Sequence, residues 1–317
     1  MNLTRYRRRV AVTVVAGTVV ALAGACSSGS SSSSTPPGGG AAKAADVAAV
    51  GIDASSIDAL IAAEKPATDL PAGLAQKIKD RGQLLVGGTQ TAALFSLLDP
   101  TTGKVQGFDA GLSQLLAKYI IGEPDTKLVN VTSATREALL QNGSVDSVFA
   151  TYTITPERAE KVNFAGPYYQ DGLGIQVRKG TSGISSIADL NGKTVITQSG
   201  STVPDAVKKA APDAKIQLFD TNVEAAQALA QKRGDAYVLD QSILAGNSVT
   251  NPDLTTLPET FSKELYGIGL PKDDPEFTTF VNTWLKQIEA DGTWAKLWKA
   301  TVGTQVPGEA PTPPAVG

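Results

Sequence analysis

The sequence predicts an α/β fold in two units, each a mainly parallel sheet flanked by helices. Three observations carry this prediction. Short β-branched runs alternate with amphipathic, glycine-terminated helical patterns; the connections between them are short; and 317 residues suffice for about two domains. Apolar residues make up 42% and charged residues 19%, the balance of an ordinary globular chain.

The elements follow in chain order. Residues 41–80 are Ala-rich and read as helical, with apolar positions at Ile57, Leu60 and Ile61, then Leu74 and Ile78. GQLLVGG is a strand, and DAGLSQLLAKYIIG an amphipathic helix ending at Gly122. KLVNVT is a strand, TREALLQNG a helix stopped by Gly143, VDSVFATYTI a strand and TPERAEKV a short helix. GLGIQVRKG, KTVITQSG, KIQLFD and AYVLD read as further strands. The helical patterns SIADLNG, STVPDAVKKAAP and NVEAAQALAQKRG separate them. LYGIGLPK is a later strand, followed by helices from DPEFTTFVNTWLKQIEADG and TWAKLWKATVG. Trp294 and Trp298, four apart, mark a packed face of the last helix. The Pro- and Gly-rich segment 304–317 is expected to be a disordered tail.

The N-terminus is read apart from the fold. MNLTRYRRR carries 4 arginines, and the 16 small or apolar residues VAVTVVAGTVVALAGA follow it. A basic start, a short apolar run and a small-residue cleavage site describe a signal peptide over residues 1–25. A membrane span would want about 20 apolar residues. The Ser/Gly/Pro run from Ser27 to Gly40 reads as a flexible tether.

Composition removes whole classes of function. There is no His and a single Cys, so Ser-His-Asp triads, Cys-His dyads, HExxH sites and CxxC clusters are impossible. No phosphate-binding loop or dinucleotide fingerprint occurs. Cleavage after residue 25 removes 4 of the 28 basic residues and none of the 31 acidic ones, leaving a net charge of −7. With no basic block after residue 9, nucleic acid is not an expected partner. No catalytic residue, metal or cofactor is expected.

Ligands of open α/β sheets gather at strand carboxyl ends and helix N-termini. Thr151, Thr153 and Arg158 follow the strand VDSVFA; Ser199, Gly200, Ser201 and Thr202 lie between a strand and a helix; Asp240 ends AYVL. Arg158 falls in the first turn of a helix capped by Thr155 and begun by Pro156, where the backbone field already disfavours a cation. An incoming anion explains it. Hydroxyls, free N–H groups and a cation for a carboxylate, with an acid for an ammonium, fit a free α-amino acid. Each residue also has a plainer reading. Arg158 pairs with Glu157 or Glu160 on the surface; Asp240 caps the next helix; strand alternation turns one of Thr151 and Thr153 into the core unless the chain bends.

At these residues the sequence resembles the extracellular solute-binding proteins of family 3, the amino-acid receptors of ABC importers, over roughly residues 81–303. GFDAGLSQLLAKYI, NGSVDSVFATYTITPERAEKVNFAGPYY, DLNGKTVITQSGST, RGDAYVLDQSIL and YGIGLPKDDPEF with ADGTWAKLWKATVG follow the family's blocks in order. The resemblance implies a type II periplasmic-binding-protein-like clamp with two hinge crossings. Lobe 1 then comprises 81–172 and 267–303, and lobe 2 comprises 173–266. It implies that Arg158 binds the ligand carboxylate bidentately, assisted by Thr153 and Thr151. Thr202 and the N–H groups around Ser201 meet that carboxylate from lobe 2, and Asp240 takes the ammonium.

VTSATREALLQNG further resembles a segment of glutamate- and aspartate-type receptors, implying that Arg136 and Ser133 bind a second carboxylate. Thr135 stands where that segment usually has Asn, and the adjacent Glu137 competes for the Arg136 guanidinium. Gly111 replaces the usual acid of the GFD helix, and GGTQTAALF offers only small groups and Phe95 where relatives place an aromatic or an acid. LAGAC resembles a bacterial lipobox with Ala23 in the usual Leu place, implying a lipidated Cys26, a tether over 26–45 and a helical extension over 46–80. The expected protein is a monomeric extracytoplasmic receptor, lipid-anchored to the cell membrane. It passes a polar or acidic L-amino acid, glutamate first, to an ABC permease. The same clamp also serves as a sensor for a membrane kinase, and related clamps act as dehydratases.

Overall fold

The alternating runs read from the sequence become two five-stranded sheets in the computed structural model, which describes residues 50–306 and 308–317. The expected signal segment, Cys26 and the tether to residue 45 lie outside the described residues. The helical extension begins with α1 (Ala54–Ala63), capped by Asp53, whose carboxylate accepts from Ser56 N at 3.1 Å. Pro66 and Pro71 lie between it and α2 (Leu74–Arg81). Ile57, Ile61 and Ile78 are buried as their spacing requires. The extension is tied to the C-terminal region: Asp53 N donates to Ala300 O (2.9 Å), and Gln305 Nε2 to Val50 O (3.0 Å).

The first sheet takes β1 (Leu84–Gly88), then a hairpin layer of β2 (Thr91–Ala92), β3 (Ser96–Leu98) and β4 (Val105–Gln106) precedes α3 (Phe108–Ile121). β5 (Thr126–Asn130), α4 (Arg136–Gln141), β6 (Ser147–Phe149), α5 (Pro156–Ala159) and β7 (Asn163–Asp171) follow. The chain enters the second sheet along β8 (Leu173–Arg178). β9 (Thr194–Gln198), α6 (Val203–Ala210), β10 (Lys215–Phe219), α7 (Asn222–Ala230), β11 (Ala236–Asp240), α8 (Gln241–Thr250) and β12 (Leu254–Thr256) complete it. β13 (Glu264–Leu270) returns to the first sheet, and α9 (Pro275–Ala290) and α10 (Thr293–Ala300) pack behind it.

The strand orders are β5-β1-β6-β13-β7 and β10-β9-β11-β8-β12. Both sheets are mixed. β5, β1 and β6 are parallel, as are β10, β9 and β11, while β13, β7, β8 and β12 add antiparallel pairs. The reason is topological: the chain leaves the first sheet along β7 and re-enters along β13, with no helix crossing that sheet between them. Each parallel strand leads into a helix, β1 by way of the hairpin layer, and the carboxyl ends of these strands supply the polar loops.

Two departures from the sequence reading concern the same region. β6 stops at Phe149, and Thr151 adopts a left-handed φ of 43° before Thr153 bridges Tyr266 of β13. The run VDSVFATYTI is therefore a short strand and a turn. NFAGPYYQD, to which periodicity assigned no element, is the edge strand β7.

The two crossings touch. A Cβ on Gly172 would lie 2.7 Å from Ser262 O and from Thr260 Cβ, so only glycine admits the second crossing so near the first. Leu173 N donates to Ser262 Oγ at 3.0 Å. Beside them Phe95, Phe108, Tyr169, Tyr266 and Trp294 form one aromatic cluster, with Phe95 and Tyr169 at 5.3 Å and Phe108 and Trp294 at 5.5 Å, both edge to face. Phe95 is thus a core residue. Gly111 is structural: a Cβ there would lie 2.6 Å from Leu297 Cδ1, so its absence lets α3 meet α10. Residues 308–317 hold no helix or strand. Gly317 N nevertheless donates to Gly166 O at 3.1 Å, and Ala310 and Val316 pack against the core.

Candidate ligand-binding site

Arg158 sits at the lobe boundary, on a helix that starts where the sequence says. Thr155 Oγ1 accepts from Arg158 N at 3.3 Å, and Pro156 opens the turn. The guanidinium is buried. Its Nη1 donates to Thr153 O (2.7 Å) and its Nη2 to Gly200 O (3.0 Å), so it spans the two lobes. Neither Glu157 nor Glu160 pairs with it; Glu137 is the acid nearby, at 3.9 Å from Nε.

Arg136 lies beside it at the start of α4, 3% exposed. Its Nη1 donates to Ala150 O at 2.8 Å, while the buried Nε has no partner. Glu137 does not occupy this guanidinium; it accepts from Lys161 Nζ at 2.9 Å instead. The Tyr152 ring lies 3.8 Å from the Arg136 guanidinium carbon and 5.1 Å from that of Arg158. Burial, and then the like charge of Arg158, pull Arg136 down to about 9, which still leaves it charged at neutral pH. Tyr152 was not singled out from the sequence: between two threonines it reads as one more β-former.

The lobe 2 groups are more occupied than the sequence suggests. Ser201 Oγ donates to Gln198 O (2.8 Å), and Thr202, at the N-cap of α6, donates from Oγ1 to Glu264 Oε2 (3.2 Å). Gly200 brings this turn against lobe 1: with φ of 73°, its added Cβ would lie 2.7 Å from Ala134 Cα. Ser133 and Arg136 share an interlobe cavity of ≈ 50 Å³ with Thr91, Thr151, Gln198 and Asn222. That volume holds one or two waters, at about 30 Å³ each in the liquid, so any amino acid enters by parting the lobes.

Asp240 ends β11 at the N-cap of α8, yet its side chain makes no capping bond and its buried Oδ1 has no partner. Burial first, then the charges of Asp171 and Glu264, push its carboxyl up to about 8. Burial raises Asp171 as well, although it accepts from Ser242 Oγ, Gly172 N (2.8 Å) and Tyr266 Oη (3.0 Å), which oppose the rise. Glu264 accepts from Ser262 Oγ (2.9 Å) and Thr202. Among the described residues no Lys or Arg forms a salt bridge with these three acids.

The bend at Thr151 is held by Asp109 of the GFD helix. Asp109 is fully buried and accepts from Thr151 N (2.8 Å) and Tyr168 Oη (2.7 Å), with burial raising it to about 6. The sequence shows this acid plainly but not its partner, 42 residues on. Among the described residues no group of His, Cys, Asp or Glu is placed to hold a metal ion, and no helix is long and apolar enough to cross a membrane.

Known proteins resemble this chain across both lobes. Residues 84–303 match the family of bacterial extracellular solute-binding proteins, family 3. A glutamine-binding protein of Geobacillus stearothermophilus is 42% identical over 204 residues, covering 64% of this chain and 78% of that protein. A glutamate-binding protein of Corynebacterium glutamicum is 34% identical over 236 residues, covering 71% and 80%. Among solved structures, an ancestral arginine-binding protein bound to glutamine superposes with a TM-score of 0.67 at 37% identity, covering 70% of this chain and 99% of that one. An ancestral amino-acid-binding protein described as a precursor of cyclohexadienyl dehydratase gives 0.67 at 36%, covering 73% and 100%. A two-lobed type II architecture and a match across both lobes converge: this chain belongs to the bacterial extracellular solute-binding proteins, family 3.

Proposed function

We propose that this chain is an extracytoplasmic receptor for a free L-amino acid with a second acidic group, L-glutamate first, which it delivers to an ABC importer. The observation that carries the reading is the presence at the lobe boundary of two buried guanidiniums and of three acids that, among the described residues, form no salt bridge with a Lys or Arg. A ligand with two carboxylates and one ammonium complements both. Arg158 takes the α-carboxylate, assisted by Thr153 and Thr151, with Thr202 and the N–H groups around Ser201 closing on it from lobe 2. Asp240 takes the ammonium. Arg136, with its free Nε, and Ser133 take the side-chain carboxylate. The two lobes, expected at 81–172 with 267–303 and at 173–266, close by rotation about the two crossings, since the ligand contacts both. β13 of the first sheet starts at Glu264, three residues before the expected boundary.

Glutamine is the second reading, because the relative at 42% identity binds it and because a carboxamide also accepts from Arg136. Calorimetric titration of the purified protein with the twenty amino acids decides. Glutamate is expected to bind at micromolar concentration or tighter, with glutamine, aspartate and asparagine weaker; binding of arginine or no binding of glutamate would sink the assignment. The receptor works as a monomer tethered by lipid on Cys26, a reading supported by LAGAC and the Ser/Gly run after it. Cys26→Ala should release it from the membrane fraction, and retention there would point to an uncleaved anchor.

A further inference from the structure

Asn222 opens α7 at the lobe boundary and is 4% exposed. Its carboxamide is fully used. Nδ2 donates to Asn247 Oδ1 (2.8 Å) and, across the cleft, to Thr91 O (3.0 Å). Oδ1 accepts from Asn247 Nδ2 (2.8 Å) and Tyr237 Oη (3.1 Å). Three of the four hydrogen bonds are to Asn247 and Tyr237 of lobe 2, so that lobe alone fixes the amide's orientation.

Thr91 and Asn222 form a wall between two spaces. On one side lies the ligand cavity with Arg136 and Ser133; on the other lies a groove of ≈ 480 Å³. Leu97 and Leu98 of lobe 1 and Val223, Ala226 and Gln227 of lobe 2 line that groove, so it too runs between the lobes. Its volume falls within the range of small-ligand sites, about 300–1,000 Å³.

We infer that the Thr91–Asn222 hydrogen bond is a gate, and that the cleft also takes γ-N-substituted glutamines (γ-glutamyl amides), whose N-substituent passes the gate into the groove. The inference rests on the amino-acid reading above. The gate sets an acceptor, Thr91 C=O, opposite a donor, Asn222 N–H. A group inserted between them must accept on one side and donate on the other, or leave a buried polar group unpaired. A secondary amide does both: its carbonyl accepts from Asn222 and its N–H donates to Thr91. A carboxylate accepts only, so glutamate stops short of the gate. Widening the gate needs the lobes to part by the thickness of one group, a smaller movement of the same kind as ligand entry.

The test is calorimetric titration with γ-L-glutamylethylamide beside L-glutamine and L-glutamate. The ethylamide is expected to bind within about tenfold of glutamine. Gln227→Trp, which fills the groove from α7, should weaken the ethylamide by at least about tenfold and leave glutamine and glutamate unchanged. Val223→Trp is the second filler, and retained glutamine binding certifies the fold of either variant. The inference is overturned if glutamine or glutamate binds normally while the ethylamide gives no heat at about a hundredfold their Kd. It is equally overturned if neither filler affects the ethylamide. Failure of all three compounds would overturn the amino-acid reading along with it.

Discussion

At the cation end of the site, Arg136 and Arg158 lie over the same Tyr152 ring; at the acid end, beside the two crossings, burial and then the charges of Asp171 and Glu264 raise Asp240. Among the described residues no Lys or Arg forms a salt bridge with the three acids. Both ends bury charge, and they are supported differently. A guanidinium at neutral pH keeps its proton, so the protein surrounds it with carbonyls and a π face: Ala150 O, Thr153 O, Gly200 O and the tyrosine ring. A carboxyl has another route, which is to take a proton. The cation end is therefore preorganised, and the acid end responds to pH and to an arriving ammonium.

The largest expected effect breaks the cation end. Arg158→Ala removes the bidentate partner of the α-carboxylate and the bond to Gly200 O, and should cost about 2–5 kcal/mol of binding. That is roughly thirtyfold to several-thousandfold in Kd by calorimetry, with loss of ligand-induced compaction in small-angle scattering. Arg136→Ala should act selectively, weakening glutamate by about tenfold more than glutamine. Equal losses for the two ligands would make Arg136 a positioning group only. Normal affinity in Arg158→Ala would remove the main support for the site.

The two ends also differ in how far the sequence reveals them. Arg158 was legible because a cation in a helix's first turn is locally costly, and that cost shows in the residues Thr155, Pro156 and Arg158 themselves. Asp240 was legible as a polar end to an apolar strand, with capping of the next helix as the plainer local reading; the missing capping bond counts against the latter. Asp171, Glu264, Tyr152 and Asn222 were missed. Each has a partner between 16 and 131 residues away, Arg136 for Tyr152 and Thr91 for Asn222 being the extremes, and no local rule states that distance. The alternation of strands and helices gave the parallel core strands. It said nothing of the antiparallel pairs, because the return along β13 depends on where lobe 2 ends.

Asp240 sharpens the comparison through pH. Its carboxyl is raised to about 8 in the folded chain, so between the usual carboxylate range and pH 8 the folded state holds more protons than the unfolded state. Unfolding free energy of the ligand-free protein then falls as pH rises through that window. Asp240→Asn removes this contribution and should melt higher than wild type at pH 8 by scanning calorimetry. A ligand ammonium reverses the balance by favouring the ionised carboxylate, so binding near pH 7 releases a proton and weakens as pH falls. The observed binding enthalpy should then change with buffer ionisation enthalpy in wild type and not in Asp240→Asn. Loss of affinity in Asp240→Asn should be about ten- to a hundredfold, from an unpaired ammonium. A buffer-independent enthalpy in wild type would mean that Asp240 is already ionised before the ligand arrives.

Thr151 yields the smallest effect and tests whether preorganisation at the cation end carries strain. A β-branched residue at a φ of 43° is costly by about 1–3 kcal/mol, yet the bend it makes turns Ala150 O toward Arg136 and gives Thr151 N to Asp109. Thr151→Gly keeps both backbone groups and relieves the strain. Set against glycine's larger unfolded-state entropy, the net gain should be about 1 kcal/mol in urea denaturation. Thr151→Ala removes the same hydroxyl and keeps the Cβ, so it should show less of that gain. If the hydroxyl also contacts the ligand, both variants lose affinity alike, by less than about tenfold. If both bind as wild type does, Thr151 serves the site through its backbone alone, and the hydroxyl leaves the set of ligand groups. A Thr151→Gly protein less stable than wild type would show that the bend is held without strain, and that Asp109, through its bond to the Thr151 N–H, is sufficient to set it.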